Sequence, residues 1–210
     1  MNKSVEGKLP EKLIEMVRAP GVILVYGPEA SGKSTLVMYL LSQTVSPEDR
    51  VLLYDSSNAV EIFRRLVSKV GEGFAKKVFR IPVRDWEDQR RWVLKLSFMP
   101  KGFKKVVFDE FTFPYLLELL KIKDSIKRYM KLHRELIFQV AYLRYLSETS
   151  SQTIFLITTE GSTGDPLGGV SLKKISSLSI KLHKVKGELF HLEVEGEGDG
   201  TSKIIFWLDP

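Results

Sequence analysis

The chain has 210 residues, 43% of them hydrophobic and 28% charged, the proportions of a globular domain rather than of a disordered, fibrous or membrane chain. That length suits one large core. The absence of cysteine excludes disulfides and thiolate metal centres. The longest stretch free of Asp, Glu, Lys and Arg, Ser34 to Pro47, is 14 residues, short of the roughly 18 to 20 that cross a bilayer, so no membrane anchor is expected. The formal charge of +6 is uneven: residues 186–210 are net −4, leaving +10 on the preceding 185. The opening MNKSVEGKLPEKL has no apolar signal region, which points to a cytoplasmic protein. Two Asn and four Gln among many Lys, Arg and Glu suggest a thermophilic source.

In chain order, Leu9 to Arg18 reads as a short amphipathic helix stopped by Pro20 and Gly21. Gly21 to Tyr26, GVILVY, is a β-branched apolar run expected to form a strand buried on both faces. Ser34 to Thr44 reads as helix, Val51 to Asp55 as a second buried strand, Asn58 to Val70 as helix and Val78 to Ile81 as a short strand. Trp86 to Leu96 reads as a helix capped by Asp85. Lys104 to Glu110 is a strong strand, and Asp124 to Thr149 is the longest helix, with Ile126, Met130, His133, Ile137, Val140, Ala141 and Leu146 near one face. Thr153 to Thr159 is a further strand, and Gly161 to Ser171 a glycine-rich loop long enough to be mobile. Alternating strands and helices imply an α/β fold with a mostly parallel central sheet and helices on both faces. The final segments, SLSIKLHKV, LFHLEVEG and SKIIFWL, separated by turn signals, read as antiparallel strands extending the sheet. The expected divisions of the single domain are 1–20, 21–160, 161–175 and 176–210.

The chemistry concentrates in GPEASGKST. Gly27, Gly32, Lys33 and Ser34 stand in the order G-x-x-x-x-G-K-S between a buried strand and an apolar helix. In such a P-loop the backbone of Gly27, Pro28, Glu29, Ala30, Ser31 and Gly32 wraps phosphates at a helix N-terminus. Lys33 reaches the outer phosphates, Ser34 binds Mg²⁺ and Thr35 continues the helix. A carboxylate at the end of an apolar strand completes the metal shell. Asp55 and Asp109 both qualify, and VVFDE assigns the role to Asp109. Glu110 comes next: either it polarises an attacking water, or one of the pair Asp109 and Glu110 simply caps the following turn. His133, His183 and His191 have no metal-like spacing.

GPEASGKSTL, the strand ending in Asp55, DWEDQRRWVLKL, VVFDE, the long helix before TIFLITT and the loop carrying Gly168 and Gly169 together resemble the RecA superfamily, in particular archaeal RadB and related RecA/RadA paralogues. The resemblance runs from Gly21 onward and implies a RecA-like P-loop NTPase core binding ATP and Mg²⁺. It also implies an accessory role in homologous recombination or DNA repair beside a recombinase or repair-protein partner, with single-stranded DNA as a further candidate ligand. It places Arg64 or Arg65 against adenine, where a solvated helix face is the competing reading. It aligns the loop flanked by Asp165, Lys173 and Lys174 with a DNA-contacting loop. Three departures matter. Ser57 stands where the family has its catalytic Glu, Thr159 where it has a γ-phosphate-sensing Gln, and Glu193 and Glu195 where relatives carry bases. These imply weak hydrolysis or none unless Glu110 compensates, with Lys33 and Glu110 as the catalytic candidates. Other readings are a non-catalytic P-loop interaction module, and a P-loop kinase, against which the antiparallel end and the lack of an Arg-rich lid count. The basic set Lys121, Lys123, Lys127, Arg128, Lys131 and Arg134 is either a solvated face or a nucleic-acid contact. FQVA, Phe138 to Ala141, matches the letters of a polymerisation motif but reads as helix packing.

Overall fold

The computed structural model describes residues 11–56, 64, 71–100, 102–123, 125–186, 189–196 and 201–207. The expected helix Asn58 to Val70 lies outside these except for Arg64, as does Ser57.

Eight strands form one mixed sheet: β1 Gly21–Gly27, β2 Arg50–Asp55, β3 Val78–Pro82, β4 Phe103–Asp109, β5 Thr153–Thr159, β6 Leu178–Lys186, β7 Leu189–Gly196 and β8 Ser202–Trp207. Their order is β3-β2-β4-β5-β1-β6-β7-β8. Every pairing from β3 across to β6 is parallel, and the last two are antiparallel. The helices are α1 Glu11–Met16, α2 Lys33–Thr44, α3 Glu72–Ala75, α4 Trp86–Lys95, α5 Phe113–Leu120, α6 Ile126–Thr149 and α7 Val170–Ile175.

Two apolar layers sandwich the sheet, and the period of two along each strand sorts side chains between them. In β1, Ile23 and Val25 pack with Leu36 and Leu40 of α2 and Leu13 of α1, while Val22 and Leu24 meet Leu136, Val140 and Leu143 of α6. Burial on both faces explains the unbroken hydrophobic run of this strand. In β6 and β7 only one face joins a core. Ile180, Leu182, Leu192 and Val194 are buried, whereas Lys181, His183, His191 and Glu193 line the other side, the alternation of a half-solvated antiparallel sheet.

The expected α/β class, the mostly parallel sheet and the antiparallel end match this architecture. SLSIKLHKV differs in one respect: β6 is antiparallel to β7 but parallel to β1, so it closes the parallel set as well as opening the antiparallel wing. Asp85 caps α4 by accepting from the Asp88 amide. Ser125 caps α6 by accepting from the Arg128 amide. The buried stripe of α6 is Leu132, Leu136, Val140, Leu143 and Leu146, so Ile126, Met130 and Ala141 are outside the core, Ile126 being 82% exposed. The expected set mixed two faces of the helix, and the core selects the one spaced 132-136-140-143. FQVA splits accordingly: Val140 is buried and Phe138 is 58% exposed, stacked on Tyr142. The basic cluster is exposed, and Lys127, Arg128, Lys131 and Arg134 line an open groove of about 750 Å³ beside Met130 and Phe138. No helix among the described residues is long and apolar enough to cross a membrane.

Candidate functional site

Parallel strands end in register, so β1, β2, β4 and β5 deliver Gly27, Asp55, Asp109 and Thr159 to the same rim of the sheet. Each follows by two a residue of the α2-facing layer, Val25, Leu53, Val107 and Ile157, so all four lie on the side where α2 begins.

The loop from Gly27 to Gly32 leaves β1 and enters α2. Gly27 must lack a side chain because a Cβ there would lie 2.2 Å from the Leu182 carbonyl oxygen of β6. Gly32 turns the chain with φ of 92°, and Ala30 shares that left-handed region at 54°. No side chain caps α2, so its first amides point at the loop, the arrangement that attracts anions. Pro28, Glu29 and Ala30 are exposed, whereas Ser31 is buried with its hydroxyl unpartnered. Thr35 follows, half-buried, in the first turn.

Lys33 is buried and donates to the carbonyls of Pro28 at 2.8 Å and Gly27 at 3.3 Å. Burial lowers its pKa, opposed by the negative charges of Glu110, Asp109, Glu29 and Glu160. Ser34 donates its hydroxyl to Asp109 Oδ1 at 2.8 Å. Burial pushes the Asp109 carboxyl up to about 6; the Ser34 hydrogen bond opposes this, and the charges of Glu110 and Asp55 add to it. Asp55 is more deeply buried and is ion-paired: Arg80 of β3 meets its Oδ2 at 2.6 Å through Nη2 and 2.7 Å through Nε.

Glu110 begins the turn after β4 with φ of 52°, a left-handed conformation that costs a non-glycine residue roughly 1–2 kcal/mol. Two backbone bonds hold it: Phe111 N donates to Ile157 O at 2.8 Å and Phe113 N to Glu110 O at 2.9 Å. The second closes the turn through the Glu110 carbonyl, and no side chain caps α5. The Glu110 side chain does something else, accepting from the Thr159 hydroxyl at 3.3 Å. Burial raises its pKa, while Lys33 and the Thr159 bond lower it.

The glycine loop is tied down rather than open. Gly161 N donates to Asp165 O, Leu167 N to Thr159 O and Gly169 N to Pro166 O, and its final residues start α7. Lys181 of β6 donates to Gly164 O at 2.7 Å and lies 3.4 Å from Glu160. Lys173 pairs with Glu195 at 3.1 Å, and Lys174 is exposed.

The structure thus brings Gly27, Ser31, Gly32, Lys33, Ser34, Asp109 and Glu110 to one place. Arg64 is helical and exposed, with its sequence neighbours outside the described residues. Among the described residues no group of three or more His, Asp or Glu could hold a metal by itself. Arg80, Lys181 and the Thr159–Glu110 contact were not legible as site features. The one available signal is that Arg80 and Lys181 are basic residues inside apolar strand runs, VFRIP and LSIKL. The chain matches no protein-family model and no curated protein.

Proposed function

We propose that the protein is a RecA-like, RadB-like P-loop ATP-binding protein with slow Mg²⁺-dependent hydrolysis, accessory to homologous recombination or DNA repair through a recombinase or repair-protein partner. The observation that carries this reading is the conjunction of Lys33, Ser34 and Asp109 on adjacent element ends, with the Ser34 hydroxyl bonded to Asp109 at 2.8 Å beneath an uncapped helix N-terminus. The donor set fits magnesium, which keeps most of its waters and takes one or two protein oxygens beside phosphate oxygens. Ser34 and Asp109 would hold it. When bound, it supplies positive charge to the β- and γ-phosphates. Lys33 would exchange its two loop carbonyls for phosphate oxygens, and the α2 amides with the buried Ser31 hydroxyl would complete the cradle. Slow turnover follows from Ser57, which cannot act as a base at pH 7 where the family has its catalytic Glu, and from Thr159 in place of the γ-phosphate-sensing Gln. The protein-partner role rests on the resemblance. It also draws on the pairing of Lys173 with Glu195, which leaves few free cations beside the glycine loop for DNA phosphates.

The test is calorimetric titration of the purified chain with Mg·ATP. Lys33→Ala is expected to weaken binding at least 30-fold while leaving thermal unfolding within a few degrees. Absence of ATP binding in the unsubstituted protein, or equal binding by Lys33→Ala, sinks the reading.

A further inference from the structure

We propose that Thr159 is a positioning residue that aims the Glu110 carboxylate for proton abstraction and ties it to the 161–169 loop. This rests on the ATP-binding reading above and deepens it. Thr158 and Thr159 are adjacent at the end of β5, and the strand alternation gives them opposite surroundings. The Thr158 hydroxyl meets that of Thr112 in the buried layer behind the sheet, while Thr159 turns to the rim that carries Lys33 and Asp109. Three contacts converge on that rim. The Thr159 hydroxyl donates to Glu110 Oε2 at 3.3 Å, the Thr159 carbonyl accepts from Leu167 N at 2.8 Å, and the next amide, Glu160 N, donates to Gly27 O at 3.0 Å. One residue and its following amide therefore join the carboxylate, the glycine loop and the first residue of the phosphate loop.

The threonine hydroxyl gives its proton to Oε2, and among the described residues nothing donates to Oε1, the oxygen assigned to receive a proton. The branched side chain has few rotamers, which restrains the carboxylate beyond what a longer polar residue would achieve. In the reaction, Glu110 Oε1 takes a proton from water as the water oxygen bonds to the γ-phosphorus. The bond from that phosphorus to the bridging oxygen breaks, releasing ADP and phosphate, and the proton then leaves Glu110 to solvent. The strained turn at Glu110 is consistent with this use, because its backbone is fixed by Ile157 and Phe113 while its side chain is held by a single neighbour.

The experiment combines calorimetric ATP binding with single-turnover and steady-state hydrolysis by the full chain and its Thr159→Val and Thr159→Ser variants. Thr159→Val keeps the shape and removes the donor. It is expected to lower kcat about 10- to 100-fold, with KM and ATP affinity changed less than twofold. Thr159→Ser restores the donor and is expected to recover kcat to within about threefold. Turnover by Thr159→Val at the original rate overturns the proposal, as does equal impairment of the two variants. ATP binding with no phosphate release by the unsubstituted chain also overturns it, leaving the binding reading intact. Failure to bind ATP at all removes both.

Discussion

Strand β4 carries a charge near each end, Lys105 buried and Asp109 partly buried, and the two are treated in opposite ways. Near its start, Lys105 is 5% exposed and donates to the Val17 carbonyl at 3.2 Å and the Thr153 hydroxyl at 2.9 Å. Near its finish, Asp109 shares one hydrogen bond with Ser34 and faces Glu110 and Asp55, both of its own sign. Lys105 is anchored by neutral acceptors that the fold fixes, at the end of the sheet where α1 closes. The carboxylate of Asp109 forms no ion pair among the described residues; its nearest cation, Lys33, donates instead to the carbonyls of Gly27 and Pro28. Burial shifts both groups toward neutrality, Lys105 down to about 8 and Asp109 up to about 6. One end of the sheet spends its polar groups on holding elements together, and the other sets Asp109 and Glu110 side by side at a rim open to a ligand.

Three changes would break or sharpen this contrast. The largest effect is expected at Arg80, the cation that makes Asp55 unlike Asp109. Arg80→Met removes the guanidinium from a buried carboxylate and should destabilise the protein by about 3 kcal/mol, read from chemical denaturation at pH 7.5. A loss below about 1 kcal/mol would put Asp55 and Asp109 in the same class. The second concerns Lys105. Its pKa in the folded chain lies below its ordinary 10.5, so between about pH 8 and 10.5 the unfolded chain binds more protons and stability rises with pH. The rise should be about 2 kcal/mol and should vanish in Lys105→Met; a rise that persists in that variant removes Lys105 as its source. The smallest is a gain. The folded-state pKa of Asp109 lies above 3.8, so its contribution is fully present below that pH and is lost as pH rises through about 6. At pH 7.5 the ionised group is a cost, and Asp109→Asn should stabilise the ligand-free protein by about 1–2 kcal/mol while weakening Mg·ATP binding. Equal or lower stability for Asp109→Asn would mean that the Ser34 bond outweighs the desolvation.

Much of this contrast was legible in the chain and part was not. The Gly27–Gly32 loop and the strand VVFDE are local patterns, and their residues arrive together because β1, β5 and β4 are consecutive parallel strands that end at one rim. The cap at Asp85 was equally local. Helix α5 was not legible because FPYLLELL is short and apolar apart from Glu118, so its periodicity fits strand as well as helix; its one helical signal is the proline near its start. The direction of β6 was hidden because pairing with β1 depends on the path through α7, whereas pairing with β7 is signalled by a short turn. The Arg80–Asp55 and Thr159–Glu110 contacts join residues 25 and 49 positions apart and depend on register, which no run of neighbouring letters encodes.

The place of β1 in the sheet also sets a timetable. Both of its neighbours come from the far end of the chain: Gly21 pairs with Thr153, and Ile23 with Leu178. At a synthesis rate of about 5–20 residues per second, the strand that leads into the phosphate loop waits roughly 7–30 s for its partners to emerge. No N-terminal fragment ending before β5 can pair this strand as the finished sheet does, and the Leu182 carbonyl that confines Gly27 arrives later still. The loop after β1 therefore takes its finished surroundings only in nearly complete chains, and a ligand held there would stabilise only molecules whose β5 and β6 have already docked.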